Sequence, residues 1–181
     1  PAHMSVRPIT KVSVWDRNEA AAKSLVDELK AAGINAYFCP KDELETCSGK
    51  ADIISCATMS TTPLILGKWL KPGAHLDLVG SFTPTMRETD NNAMQNCAVF
   101  VDTRAGALSE TGDLIMPIEQ GAITQDAILA EFSELCSGQH SGRHSLADPQ
   151  TAITLFKSVG DSREDLAAAI LAYQTHSESK G

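Results

Sequence analysis

The sequence has no apolar run approaching the roughly 18 residues of a membrane-spanning helix, and no signal peptide is visible. It has no basic stripe. Lys and Arg number 15 against 23 Asp and Glu, a formal charge of −8, which argues against nucleic acid and anionic membrane as partners. Paired cysteines are missing: Cys39, Cys47, Cys56, Cys97 and Cys136 are scattered, odd in number and form no C-x-x-C. They read as free thiols of a reducing cytoplasm rather than a disulfide framework. The histidines do not cluster with carboxylates at ligand spacing, so no metal site is expected. Internal repeats and low-complexity segments are absent. So is a glycine-rich phosphate loop, because Gly33, Gly49 and Gly67 are isolated and none follows a strand as Gly-x-Gly-x-x-Gly would.

What remains is the pattern of one α/β domain spanning residues 1–181, with 43% hydrophobic and 21% charged residues. Short strands are predicted at 11–16, 36–39, 51–57, 74–79, 98–102 and 153–158. Helices are predicted at 19–32, 42–47, 84–96, 107–113, 125–136 and 161–173. The first long helix has Asn18 available as a cap and Gly33 as a stop. Residues 137–149 read as a polar loop and 175–181 as a frayed tail. Strands alternating with helices mean a parallel sheet with flanking helices.

The organising stretch runs from Ala74 to Glu88. Leu76, Leu78 and Val79 form an apolar run that ends at Gly80, and Thr83-Pro84 is suited to open a helix. In open parallel sheets, ligands bind where strand C-terminal ends meet helix starts. Gly80, Ser81 and Phe82 are therefore expected to face a ligand. Ala57-Thr58-Met59 follows a second buried strand at the same edge, and Ser158-Val159-Gly160 follows a third. Cys56 reads as small buried packing. Arg87, Glu88 and Asp90 read as a solvated or ion-paired helix face, Glu110 and Asp113 as surface charges, and Lys157 as part of an ion pair. Asp16, at the end of the 11–16 strand, is placed to bond an adenosine ribose.

Three blocks carry a resemblance: Ser55-Cys56-Ala57-Thr58-Met59-Ser60-Thr61-Thr62-Pro63-Leu64, then Leu78-Val79-Gly80-Ser81-Phe82-Thr83-Pro84, then Thr154-Leu155-Phe156-Lys157-Ser158-Val159-Gly160. In that order they resemble the ornithine cyclodeaminase/mu-crystallin family, from Val6 to about Tyr173. The resemblance implies a Rossmann-like NAD(P)-binding domain whose first strand and Gly-rich loop are absent from this chain. The chain would then be the C-terminal part of a longer polypeptide. A gap is expected between the 11–16 and 51–57 strands. The absent N-terminal region would supply substrate-carboxylate ligands and a homodimer interface.

The implied activity is NAD(P)H-dependent reduction of a small imino acid such as 1-pyrroline-2-carboxylate. Ornithine cyclodeamination and non-catalytic, crystallin-like NADPH binding are the alternatives. The resemblance places the cofactor on Asp16, Arg17, Asn18, Ala57, Thr58, Met59, Val79, Gly80 and Ser158, with Ser158 at the nicotinamide. It places the substrate at Phe82 and Val159. Ser81 is the candidate proton source. Asp16 favours NAD and Arg17 favours NADP, and the reading leans to NADP with NAD tolerated. Where cyclodeaminases carry an acid/base Asp, this chain has Phe82; where they have a nearby Lys, it has Met86. Phe cannot carry a proton.

Overall fold

The computed structural model describes residues 2–178. They pack as two compact units, residues 2–50 and 51–178. The first contains α1 (Ala2–Val6), β1 (Val12–Val14), α2 (Glu19–Ala31), β2 (Ala36–Phe38) and α3 (Leu44–Lys50). β1 and β2 pair in parallel, Val12 opposite Ala36 and Val14 opposite Phe38. The start of α2 follows from Asn18, whose side-chain oxygen accepts from the N–H groups of Ala20 and Ala21. Gly33 turns the chain away after the helix with φ +78°. Ala22 and Val26, one helical turn apart, are the buried residues of α2.

The second unit contains β3 (Ile53–Cys56), β4 (His75–Leu78), α4 (Asn91–Asn96), β5 (Cys97–Val101), α5 (Arg104–Glu110) and α6 (Gly112–Glu119). β6 (Ile128–Glu131), α7 (Phe132–Cys136), β7 (Ile153–Lys157) and α8 (Ser162–Glu178) follow. Its five strands form a wholly parallel sheet in the order β3-β4-β7-β5-β6. Leu76, Leu78, Val99, Val101 and Leu155 are fully buried on these strands. Each such side chain contributes about 1.5–3 kcal/mol relative to exposure. This is the α/β sheet with flanking helices that strand–helix alternation predicts. Among the described residues β1 pairs with β2 alone, in a two-stranded sheet of the first unit, while β3 is an edge strand of the five-stranded sheet, paired with β4. Among the described residues no helix is long and apolar enough to cross a membrane.

Several elements differ from expectation. No helix opens at Thr83-Pro84. The backbone there is committed to neighbours: Arg87 N–H donates to the Ser60 carbonyl at 2.7 Å, and the Glu88 carbonyl accepts from Leu64 and Ile65. Helix begins only at α4, capped by the Asp90 side chain on Ala93 N–H. The 125–136 segment is not one helix. It opens with a 3-10 turn at Gln125–Ala127 and continues as β6, where Ile128 and Ala130 are buried and Leu129 is exposed, a period of two that edge pairing with β5 selects. The 107–113 helix is instead two, α5 and α6, separated at Thr111, whose hydroxyl accepts from Asp113 N–H. The last strand, β7, lies inside the sheet between β4 and β5, an order that the sequence pattern left open. The polar loop holds a short 3-10 turn at Gly142–Ser145. α8 runs on to Glu178, through most of the predicted frayed tail, and residues 179–181 lie outside the described residues.

Candidate functional site

The sheet of the second unit ends on a common line. Cys56 pairs with Leu78, Leu78 with Lys157, Lys157 with Val101, and Val101 with Glu131. Each is the last residue of its strand, so the segments that follow leave the sheet from one edge. Those segments begin at Ala57, Val79, Ser158, Asp102 and Phe132. The structure therefore brings together three of the predicted blocks at the C-terminal ends of parallel strands. Asp16, Arg17 and Asn18 belong to the other unit. There they are exposed at the end of β1, with Asn18 N–H donating to Asp16 Oδ1 at 2.6 Å.

Two buried carboxylates shape that edge, and neither was read as a site residue. Glu88 is fully buried. Its Oε1 accepts from Thr58 N–H at 2.7 Å and from the Thr58 hydroxyl at 2.8 Å; its Oε2 accepts from Gly80 N–H at 3.0 Å. One side chain thus ties the loop after β3 to the loop after β4. The two backbones meet so closely that a Cβ on Gly80 would lie 2.1 Å from Thr58 N and O. Gly80 is required here for close approach. Asp102, 1% exposed, does the same for the loop after β7. Its Oδ1 accepts from Thr103 N–H at 2.7 Å. Its Oδ2 accepts from Val159 N–H at 2.7 Å, Gly160 N–H at 2.8 Å and the Ser158 hydroxyl at 3.1 Å.

The expected surface charges at 87, 88 and 113 are corrected by this packing. Arg87 is buried, donates to the Thr89 carbonyl at 2.6 Å, and also reaches Asn91. Burial pulls its pKa down, against the attraction of Asp113 and Asp90. Asp113 is fully buried. Its Oδ1 accepts from the N–H groups of Glu88 and Thr89 and from the Thr89 hydroxyl, while Oδ2 has no hydrogen-bond partner among the described residues. Burial pushes the Asp113 pKa up, against the hydrogen bonds from Thr89 and Glu88. Glu110 is exposed as expected. Lys157 is fully buried and donates to the Leu78 carbonyl at 3.0 Å. Burial pulls its pKa down, against the attraction of Asp113, Glu88 and Asp102. Cys56 is buried, and burial raises its pKa, which leaves it an inert packing thiol.

Ser81 is fully buried, and its hydroxyl bonds the Met86 carbonyl and the Thr111 hydroxyl, each at 2.7 Å. The large apolar side chains left open at the edge are Met59, 74% exposed, Val79, 45%, and Phe82, 48%. Sequence reasoning passed over Glu88 because Arg87-Glu88-Thr89-Asp90 looks like a polar helix face. Asp102 had a usable signal. It directly follows the buried run Val99-Phe100-Val101, the same placement that singled out Asp16.

The sequence pattern of the ornithine cyclodeaminase/mu-crystallin family matches residues 2–180. This chain belongs to that family. It is 51% identical over 182 aligned residues to a Schizosaccharomyces pombe protein, covering 98% of this chain and 54% of that one. It is 40% identical over 169 residues to the Delta(1)-pyrroline-2-carboxylate reductase of Paracoccus denitrificans, covering 93% of this chain and 52% of the reductase. Among solved structures, the Thermococcus litoralis Delta(1)-pyrroline-2-carboxylate reductase in complex with NADH and L-proline superposes with a TM-score of 0.89 at 33% identity. That match covers 99% of this chain and 54% of the other. The chain spans about half the length of the curated relatives it matches. As a member of the family, it has the Rossmann-type α/β architecture expected from the three blocks.

Proposed function

We propose that this chain is part of an NAD(P)H-dependent reductase of small imino acids, of the 1-pyrroline-2-carboxylate type. The observation that carries the reading is Phe82. It stands half-exposed at the strand edge, beside Gly80 and the exposed Val79, where cyclodeaminases have an acid/base Asp. An aromatic face there suits the apolar ring carbons of a pyrroline and helps exclude water. The likeness to two pyrroline-2-carboxylate reductases supports the same substrate class.

The edge fits the nicotinamide end of a dinucleotide. Gly80 keeps the space between two loops clear of any Cβ, Thr58 is held in place by Glu88, and Ser158 presents a hydroxyl oxygen. A reduced nicotinamide, when bound, supplies the hydride. The work of these residues is orientation and exclusion of water: Ala57, Thr58, Met59, Val79 and Gly80 line the cofactor side, Phe82 and Val159 the substrate side. With its hydroxyl spent on Met86 and Thr111, Ser81 serves to hold the turn. The proton then arrives with a protonated imine or from water. In the other unit, Asn18 is occupied as a helix cap and Asp16 is bonded to its own turn, which leaves Arg17 to meet a 2′-phosphate. NADPH is therefore favoured, with NADH tolerated. A homodimer belongs to the same reading and is measured by sedimentation.

The test uses full-length protein. We expect NADPH oxidation with 1-pyrroline-2-carboxylate to give proline, and Arg17→Ala to shift the NADPH/NADH preference toward NADH. Ammonia release from ornithine should be at least about a hundredfold slower, the scale of a missing general acid/base. Robust ammonia release would overturn the reading. NADPH binding without turnover would make the protein a binder instead.

A further inference from the structure

We propose that Asp102 is a positioning residue that makes Ser158 an obligate hydrogen-bond acceptor, so that this corner of the site selects a ligand bearing an N–H donor. In the reading above, on which this rests, that donor is the carboxamide NH2 of the nicotinamide.

The argument begins at Asp102 Oδ2. Two of its partners, the backbone N–H groups of Val159 and Gly160, can only donate. The third, the Ser158 hydroxyl at 3.1 Å, meets an oxygen already serving as an acceptor and therefore donates too. Serine has one hydroxyl hydrogen and two lone pairs. With the hydrogen spent on Asp102, the oxygen can only accept from whatever lies at the strand edge.

The arrangement is held from both sides. Oδ1 of Asp102 is occupied by Thr103 N–H. The Asp102 backbone is fixed as well, its N–H donating to the Lys157 carbonyl at 3.2 Å and its carbonyl accepting from Phe132 N–H at 3.2 Å. Asp102 is 1% exposed, so water does not compete for its oxygens. Gly160, at φ +97°, turns its N–H back onto the same carboxylate, in a backbone conformation that residues with a side chain rarely adopt. Ser158 itself remains half-buried at the edge.

Cofactor analogues separate the polarity. In 3-acetylpyridine adenine dinucleotide phosphate, a methyl group replaces the NH2; in the thionicotinamide analogue the NH2 is kept. Dissociation constants are measured by calorimetric titration of the full-length protein with the oxidised forms. We expect wild type to bind the acetyl analogue about three- to tenfold more weakly than NADP, the scale of one net hydrogen bond, and the thio analogue nearly as well as NADP. Ser158→Ala should bring the acetyl/carboxamide ratio to about one. Asp102→Asn retains an oxygen facing the three donors and should keep the wild-type ratio. Asp102→Ala frees the serine hydrogen and should lose it. If Asp102→Ala does not fold, Ser158→Ala carries the test alone. A wild-type ratio near one, a ratio unchanged in Ser158→Ala, or a ratio retained in a folded Asp102→Ala would each overturn the proposal and leave the reductase reading standing. Failure of wild type to bind any of the three dinucleotides would overturn both.

Discussion

Replacing Glu88 with glutamine keeps the shape of the side chain but turns one of its two acceptor oxygens into an NH2. Oε1 serves Thr58 twice and Oε2 serves Gly80 once, all from the donor side. If the amide oxygen stays on Thr58, the new NH2 faces Gly80 N–H. If it flips, the NH2 faces both Thr58 donors. Either way at least one backbone N–H loses its acceptor in a place closed to water, which costs about 1–3 kcal/mol. Glu88→Ala strands all three donors and opens a cavity, roughly 3–6 kcal/mol in all. Since a whole domain is stable by only about 5–15 kcal/mol, the alanine variant should be close to unfolding while the glutamine variant folds. Urea unfolding of the full-length protein reads both values, and hydrogen exchange should show the Thr58 and Gly80 amides opening first in Glu88→Gln. A glutamine variant within about 0.5 kcal/mol of wild type, with those amides equally protected, would refute the clamp.

Two further outcomes follow from the same core. In Gly80→Ala the new Cβ sits 2.1 Å from two backbone atoms of Thr58, which cannot step aside cheaply. A loss of at least about 2 kcal/mol in thermal or urea unfolding is expected, and a variant as stable as wild type would show that the loops are not in contact. Asp113 tests the pH dependence. Burial raises its folded-state pKa above the ordinary value of 3.8, so over that interval the folded protein holds a proton that the unfolded chain releases. Its contribution to stability therefore falls as pH climbs from about 3.8 through the raised value. Asp113→Asn removes that decline, so its stability relative to wild type should rise across the same window and level off above it; parallel curves would refute the assignment.

Much of the second unit could be read locally. Leu76 and Leu78 before Gly80, Ile53 and Ile54 before Cys56, and Thr154 to Lys157 announce buried strands, because a parallel strand covered on both faces needs an apolar run. The three segments that leave those strands were legible for the same reason, since ligand sites lie at strand C-terminal ends. Asn18 announced its helix through local capping chemistry. The path from Pro84 to Asp90 was not legible. Thr83-Pro84 is a sound local helix start, yet the N–H groups of Arg87, Glu88 and Thr89 found better partners in Ser60 and Asp113, far along the chain. Residues 128–131 are of a composition that suits helix and strand alike, and pairing with β5 decided between them.

The sequence by itself determined the alternation of strands and helices, the strand ends that carry the candidate site, and the apolar residue at position 82. These are consequences of hydrophobic period, turn chemistry and residue identity, which act over a few residues. Tertiary structure decided that β7 lies between β4 and β5, that Glu88 and Asp102 are buried clamps, and that the hydroxyls of Ser81 and Ser158 are committed inward. A carboxylate's partners are set by which backbone donors the fold leaves unsatisfied around it. Those donors belong to residues such as Thr58, 30 positions from Glu88, and Val159, 57 positions from Asp102, so only the assembled sheet could supply them.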